Sequence, residues 1–377
     1  MNFIVKISNI LFPLIIILFA YPIGYLNLGY TLLILFVSIS FLAKKKHEKW
    51  LFFFSFYCFF YHFIFIYLEG KSVTSGLTII LIYLSVIAFS NFISEDYLYK
   101  ILKVIGVFVM IGLFYHLIQI YLFGIEVKTI LFFDTNLIGY ENKTNSRPVS
   151  FFSEPQAYAS FMMPLLFLSI KKKEFIWTSV VTISIILSGS LQGLVMTSVF
   201  LFFLFKQIRF IDKFLIISII SFLMLVSING KLFNFFNDKI NNIEIDSDVR
   251  LSRGFVIYGT MNPFEKAFGV GFGQENVKNY AQNQSSLSSW ANLNERAGHT
   301  STFSGLLVQF GYVGMFLFLI FLINMYYNSK KENRIFIIVI CAAAFSQNIL
   351  FNGWFVYFIA FYLGINFDGM HLIKKNI

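Results

Sequence analysis

The sequence predicts an all-α, polytopic membrane protein with about 12 transmembrane helices, and three observations carry this prediction. The 377-residue chain is 58% hydrophobic and only 13% charged, whereas soluble domains are about a quarter charged. Apolar runs close to the roughly 20 residues that a helix needs to cross a bilayer recur along the whole chain. These runs are continuous, whereas a transmembrane β-barrel has segments of about ten residues that alternate in polarity.

We expect one transmembrane helix for each apolar run, within a single integral membrane domain that covers residues 1–377. A second apolar run follows the first directly and no small-residue cleavage site separates them, so we do not expect a cleavable signal peptide. The predicted spans, in chain order, are residues 8–25, 27–43, 50–68, 75–93, 101–123, 151–170, 175–189, 191–205, 214–229, 303–327, 335–350 and 352–367.

Lysine clusters orient the predicted spans. With a cytoplasmic N-terminus, the basic runs at 44–49, 171–174, 206–213 and 328–334 and the C-terminal tail all fall on the cytoplasmic side. Most of the 29 lysines and arginines then lie inside, as the positive-inside rule requires. Both termini are therefore predicted to be cytoplasmic. The formal net charge of +10 indicates this topology and does not indicate nucleic-acid binding.

Two long loops, 124–150 and 230–302, are predicted on the extracytoplasmic side. Long loops between helices are usually either functional or disordered. Within the second loop, residues 231–243 place their apolar side chains on one helical face, which is typical of an interfacial amphipathic helix. Either Asp246 or Asp248 is then a cap candidate for a second short helix.

Arginine is used against the direction of the charge bias in these outer loops. A planar guanidinium binds phosphate or carboxylate through two parallel hydrogen bonds, which lysine cannot do. As a group, these arginines predict an anionic site at the outer border of the membrane, although surface ion pairing remains open for each one alone. They are Arg147, Arg250, Arg253 and Arg296.

His299 directly precedes the span predicted at 303–327. A histidine there is a candidate general base, general acid or phosphate ligand, because its pKa straddles neutrality; a simple interfacial role is the alternative. The nearby segment "FGVGFG" (268–273) lacks the features of a nucleotide-binding fingerprint. It is interpreted as a turn that returns to the membrane, with a backbone anion site as the alternative. Gly305, Gly311 and Gly314 are predicted to allow close helix packing.

The stretch "SRPVSFFSEPQAYASF" leads from the first outer loop into the span at 151–170. Ser153 and Gln156 fit a capping box, and alternatively Pro155 occupies the first helical position after a Glu154 cap. Glu154 is thus either part of a helix start or a general base beside an arginine-bound anion.

Histidines and cysteines within the predicted spans give weaker signals. His62 and His116 are functional candidates by their location in the membrane, with hydrogen-bonded packing as the alternative. Cys58 and Cys341 both fall in apolar spans, and the sequence has no spacing of cysteine and histidine that is typical of a metal site. No metal and no cofactor are predicted.

Four segments of the sequence form a recognisable set. They are "SRPVSFFSEPQAYASFMMP", "ILSGSLQGLVM", "RLSRGFVIYGTMNPFEKAFGVGFG" and "GHTSTFSGLLVQFGYVGMF". Together they resemble the bacterial O-antigen polymerase and ligase superfamily, which includes the Wzy-type polymerases of O-antigen, capsule and exopolysaccharide. The order of the segments and the long outer loop are also similar to the family. Gln192 stands where many members have arginine, and Thr300 stands where asparagine is common.

This resemblance implies a metal-independent glycosyltransferase with a GT-C-like fold in the cytoplasmic (inner) membrane. The implied donor is a glycan on undecaprenyl diphosphate, the acceptor is a lipid-linked repeat unit, and a chain-length regulator is the implied partner. Arg147 and Arg250 are assigned to the leaving diphosphate, with Arg253 assisting. His299 contacts the diphosphate or assists proton transfer, and Glu154 is the second candidate base.

Two other functions remain open. An O-antigen ligase would transfer the finished chain to lipid A–core. A flippase or transporter for lipid-linked oligosaccharides belongs to a different class and would line a central cavity with basic residues. The predicted mid-span regions are nearly free of lysine and arginine, which argues against the transporter.

Overall fold

The computed structural model describes residues 3–18, 22–23, 26–40, 48–69, 73–124, 148–152, 154–204, 250–293 and 297–373. Within these ranges the chain is almost entirely helical, which confirms the all-α prediction. The first helices are α1 (Phe3–Leu18), α2 (Leu28–Ser40), α3 (Lys49–Glu69), α4 (Val73–Phe92), α5 (Glu95–Tyr121), α6 (Pro155–Lys171), α7 (Phe175–Leu187) and α8 (Leu191–Leu204).

The remaining helices follow from residue 250 onwards. They are α9 (Arg250–Thr260), α10 (Pro263–Phe268), α11 (Gln274–Asn283), α12 (Ser288–Leu293), α13 (Thr302–Tyr327), α14 (Ile335–Ser346), α15 (Gly353–Phe355) and α16 (Phe361–Ile373). A π-helical turn, Val356–Ala360, joins the last two. The span predicted at 214–229, the amphipathic helix at 231–243 and its cap candidates lie outside the described residues.

The first predicted span is wrong at its C-terminal end. The prediction placed a helix over 8–25, but α1 ends at Leu18. A small antiparallel hairpin follows, in which β1 (Pro22–Ile23) pairs with β2 (Leu26–Asn27). Pro22 has no backbone N–H and cannot continue an α-helical hydrogen-bond ladder, so it favours a chain reversal here over a longer helix.

Two of the described helices, α5 and α13, are long and apolar enough to cross a membrane. Several others are apolar but have only 10–17 described residues, among them α1, α7 and α14. Apart from residues 214–229, each predicted span overlaps a helix of the described residues.

The chain forms two compact units. The first consists of Met1–Ile16, Gly29–Glu95 and Ile245–Ile377, and the second of Ile17–Leu28 and Asp96–Glu244.

In the first unit, α3 packs along α13. The two helices run in opposite directions. Glu48, just before α3, accepts a hydrogen bond of 2.6 Å from Asn324 near the end of α13. Further along, the Phe54 ring lies 5.3 Å from the Phe318 ring, and the Tyr57 hydroxyl donates to the Phe310 carbonyl at 3.2 Å.

The short helices α9 to α12 form a small cluster with its own apolar core at the start of α13. Partly buried Tyr258, Tyr280 and Trp290 pack against this core. The buried residues of this core are Ile257, Met261, Val270, Val277, Ala281, Leu287, Ala291, Ala297 and Val308.

Helix α13 is interrupted at Gly311, which has a φ of 64° and a ψ of −170°. The predicted span at 303–327 was continuous, so this break is a correction. A Cβ atom at residue 311 would lie 2.2 Å from the Ala267 carbonyl oxygen, which shows how closely the backbone of α10 approaches. Gly314 remains helical, and its Cβ position would lie 3.3 Å from the Tyr57 ring, as expected of a packing glycine.

The second unit contains the three-helix packing of α6, α7 and α8. The three helices approach closely at Gly193, where a Cβ atom would lie 2.5 Å from Ala159 and 2.8 Å from Ile185. Gln192 donates a hydrogen bond of 3.2 Å to Ser160 Oγ. The glutamine that stands at an arginine position of the resembled family is therefore a link between two helices in this protein.

Candidate functional site

The N-terminus of α13 is built from a run of small hydroxyl residues. Ser301 is the N-cap, and its Oγ accepts from the Ser304 amide at 3.3 Å. The Thr302 hydroxyl makes two hydrogen bonds to the segment that follows α14. Its Oγ1 donates to the Gln347 carbonyl at 2.9 Å and accepts from the Ile349 amide at 2.8 Å. A helix N-terminus of this kind carries partial positive charge.

Arg253 lies on α9 where this helix meets the first turn of α13. Its neighbour Gly254 sets the contact, since a Cβ atom there would lie 2.3 Å from Ser304 Oγ. Arg253 is only 7% exposed. Arginine side chains are almost never fully buried unless they are paired, so Arg253 differs from an arginine that lies freely on the surface.

His299 precedes the α13 N-cap by two residues and is half-buried. The adjacent Gly298 fixes its place, because a Cβ atom at 298 would lie 2.0 Å from the Gln274 carbonyl oxygen at the start of α11. Arg253 and His299 are thus both held at the N-terminal end of α13, by two different helices of the small cluster.

Thr300 is a site residue that residue type alone did not reveal. It is fully buried, and among the described residues its hydroxyl has no hydrogen-bond partner. The hydroxyl lies over the first turn of α13, 2.6 Å from where a Cβ atom of Gly305 would be. A buried hydroxyl without a partner costs free energy and is therefore a candidate for contact with a bound ligand or water.

The "FGVGFG" segment packs directly on the break in α13. The Val270 amide donates to the Val308 carbonyl at 2.9 Å, and the Gly271 amide donates to the Gln309 carbonyl at 3.1 Å. The Gly273 amide donates to Gln309 Oε1 at 3.2 Å. Because these amides already have partners within the protein, the alternative of a backbone anion site is contradicted for them.

Glu154 lies in the second unit, at the start of α6. It is the N-cap residue, but its side chain makes no capping hydrogen bond, and Pro155 occupies the first helical position. The proline-based alternative is therefore confirmed. Gln156 donates its Nε2 to Glu154 Oε2. Ser153 lies outside the described residues.

The two histidines within predicted spans pack against protein. His116 Nδ1 accepts from the amides of Val149 at 3.3 Å and Ser150 at 3.1 Å, which confirms the hydrogen-bonded alternative for this residue. His62 is fully buried, with its ring edge-on to Phe272 at 6.1 Å.

The remaining candidate arginines are not described at the level of their side chains. Arg147 and Arg296 lie outside the described residues. Arg250 is the first residue of α9, and its side chain is outside the described part of the structure. The structure therefore brings Arg253 and His299 to the same helix end and leaves the roles of Arg147 and Arg250 as predictions.

A polar pair ties α10 to α11 beside this site. Glu265 Oε2 accepts from the Asn262 amide at 2.8 Å in a complete capping box, and it also accepts from the Tyr280 hydroxyl at 2.8 Å. Burial, and then the nearby Glu265 carboxylate, raises the pKa of Tyr280. The phenol thus stays protonated at neutral pH and keeps donating to Glu265.

No group of three or more histidine, cysteine, aspartate or glutamate side chains that could hold a metal ion occurs among the described residues. In comparisons with known proteins, no protein-family model matches this chain, and no curated protein matches it significantly.

Proposed function

We propose that this chain is a multi-pass protein of the bacterial cytoplasmic (inner) membrane, with GT-C-like architecture and about twelve transmembrane helices. In this proposal it polymerises the repeat units of O-antigen, capsular polysaccharide or exopolysaccharide. Its substrates are undecaprenyl-diphosphate-linked oligosaccharides at the outer face, and a chain-length regulator is its protein partner.

The observation that carries the proposal is the presence of a buried arginine and a half-buried histidine at the N-terminus of α13. This helix is long and apolar enough to cross a membrane. Arg253 and the partial positive charge of the helix end both favour an anion. A diphosphate on a lipid carrier is an anion that is confined to the border of the membrane, where this helix end is proposed to lie.

The proposed reaction is a glycosyl transfer. A hydroxyl of the acceptor sugar attacks the anomeric carbon of the donor, the bond between that carbon and the diphosphate oxygen breaks, and the diphosphate leaves with the bonding electrons. The hydroxyl proton passes to His299 or Glu154. Arg253, together with Arg147 and Arg250, stabilises the charge that develops on the leaving group, which is where fixed cations contribute most.

Substitution of Arg253 tests the proposal. We expect Arg253→Ala to reduce polymer synthesis about 100-fold, which is typical of removing one fixed donor to developing charge. Arg253→Lys keeps the charge but loses the bidentate geometry, so we expect it to restore little synthesis. The measurement is glycan chain length in cells that express each variant at the wild-type level.

Lys278→Ala is the matched control, since it removes one positive charge from the same helix cluster at α11. It should leave chain length unchanged. Normal polymer from the Arg253→Ala variant would contradict the proposed role. Loss of long chains with a single repeat still attached to lipid A–core indicates a polymerase, whereas loss of all attached repeats indicates a ligase. Absence of lipid-linked repeats from the outer face indicates a flippase.

A further inference from the structure

The segment at 263–273 contacts α3 and α13 far from the end of this helix pair that Glu48 and Asn324 mark. Glu48 marks one end, next to Lys49 and the basic run that precedes α3. Thirteen residues separate Glu48 from Tyr61 on α3, and 13 separate Asn324 from Gly311 on α13. At 1.5 Å per residue, each distance is about 20 Å.

Contacts join the segment to both helices at that level. The Tyr61 hydroxyl donates to the Gly269 carbonyl at 2.9 Å, and the Ala267 carbonyl lies against Gly311. The hydrocarbon core of a bilayer is about 30 Å thick. If Glu48 lies at the inner border, residues 267–271 are therefore about two-thirds of the way across the core.

Several backbone groups of the segment are satisfied by protein, as such a location requires. Non-helical backbone at membrane depth needs its polar groups satisfied by protein. The amides of Val270, Gly271 and Gly273 donate to groups of α13, and the Gly269 carbonyl accepts from Tyr61. On the α13 side, the Phe310 carbonyl next to the break accepts from Tyr57.

An apolar surface is exposed at the same level. Phe264 is 65% exposed, and its ring lies 5.1 Å from that of Phe268, which packs on Tyr61. Tyr312, directly after the break, is 56% exposed. It begins a stripe of exposed apolar residues along α13 with helical spacing, which continues through Phe316, Leu319, Ile323 and Tyr327.

We infer that residues 263–273 dip into the outer leaflet of the membrane, where Phe264 contacts lipid acyl chains and the glycine-rich part packs in the break of α13. This differs from the prediction that residues 230–302 form an extracytoplasmic loop throughout. The charged side chains of α10 face the cluster, since Glu265 binds Tyr280 and the Lys266 ammonium lies 6.0 Å from the centre of the Tyr258 ring. The inference rests on the membrane location proposed above.

Depth-dependent fluorescence quenching tests this inference. Single cysteines are introduced at Phe264 and, as a second variant, at Tyr312, in a protein in which Cys58 and Cys341 are replaced by alanine. Phe264 and Tyr312 are both exposed, so a cysteine at either position leaves the core intact. Each protein is labelled with a polarity-sensitive fluorophore and reconstituted in vesicles of phosphatidylcholine and phosphatidylglycerol, with or without lipids that carry a spin-label quencher on the acyl chain.

Two controls bracket the result. Phe316→Cys, on the exposed stripe of α13, reports lipid, and Asn279→Cys, exposed on α11, reports water. We expect the Phe264 and Tyr312 probes to lose fluorescence to the lipid quencher as Phe316 does, and to resist iodide. Quenching by iodide at Phe264 and Tyr312, with Phe316 still in lipid, overturns this inference alone. Iodide quenching at Phe316 as well overturns the membrane location of α13, and with it the proposed function.

Discussion

At residue 269 only glycine fits. Its φ of +88° is a conformation that side chains with a Cβ rarely adopt. A Cβ atom there would also lie 2.3 Å from the backbone of Gln309 and Phe310, which cannot move away as a flexible side chain could. The absence of a side chain at 269 is therefore what lets two backbones meet at the break in α13.

We expect Gly269→Ala to lower the free energy of unfolding by about 2 kcal/mol or more, because the strained φ alone costs about 1–3 kcal/mol. Gly259→Ala is the control: Gly259 is exposed on α9, and a Cβ atom there has no neighbour within 4 Å. Alanine should stabilise that helix by up to about 1 kcal/mol. Thermal unfolding of the purified proteins in detergent measures both, and an equal midpoint for the two variants contradicts the contact at 269.

At the scale of the helices, the imidazole of His116 on α5 anchors the turn that precedes α6. His116 Nδ1 accepts two amide hydrogen bonds from Val149 and Ser150, and Ser150 Oγ donates to the Val109 carbonyl at 2.7 Å. Val149 and Ser150 are fully buried. The sequence after this turn contains Glu154, so the anchor helps to fix where α6 begins.

His116→Leu should destabilise the protein by about 2 kcal/mol or more, since it leaves two buried amides without an acceptor at about 1–3 kcal/mol each. His116→Asn should retain most of the stability, because its side-chain oxygen can take the place of Nδ1. The midpoint of thermal unfolding in detergent distinguishes the two variants. If asparagine is as harmful as leucine, the acceptor is not what matters, and the size and shape of the imidazole ring are.

For the whole molecule, composition and apolar run length were sufficient to predict that the described residues are almost entirely helical and where most of these helices lie. Residue type and position in the sequence also singled out Arg253 and His299, which the structure places at the same end of α13, and their proposed roles stay predictions. The break in α13 could not be predicted, because Gly311 and Gly314 occur in the same apolar run and look alike. Only the approach of Ala267, more than 40 residues earlier in the sequence, makes one of them a break and the other a packing position.

The predicted orientation of the chain in the membrane rests on its lysine distribution and can be tested directly. The turn between α13 and α14 contains Lys331 and is predicted to be cytoplasmic, whereas Asn279 on α11 is predicted to be extracytoplasmic; both residues are exposed. In the protein without native cysteines, a membrane-impermeant maleimide should label Asn279→Cys in right-side-out vesicles. It should label Lys331→Cys only in inverted ones.

The lysine bias is strongest in short loops near the ends of spans, and the turn that contains Lys331 is such a loop. The side of the membrane on which this turn is labelled therefore decides the orientation. Labelling of Lys331→Cys in right-side-out vesicles, with Asn279→Cys protected, would invert the topology and move Arg253 and His299 to the cytoplasmic face. A lipid-linked glycan at the outer face could not reach them there. Labelling of both positions from the same side would instead show that α13 does not cross the membrane, because among the described residues between the two positions only α13 is long and apolar enough to cross.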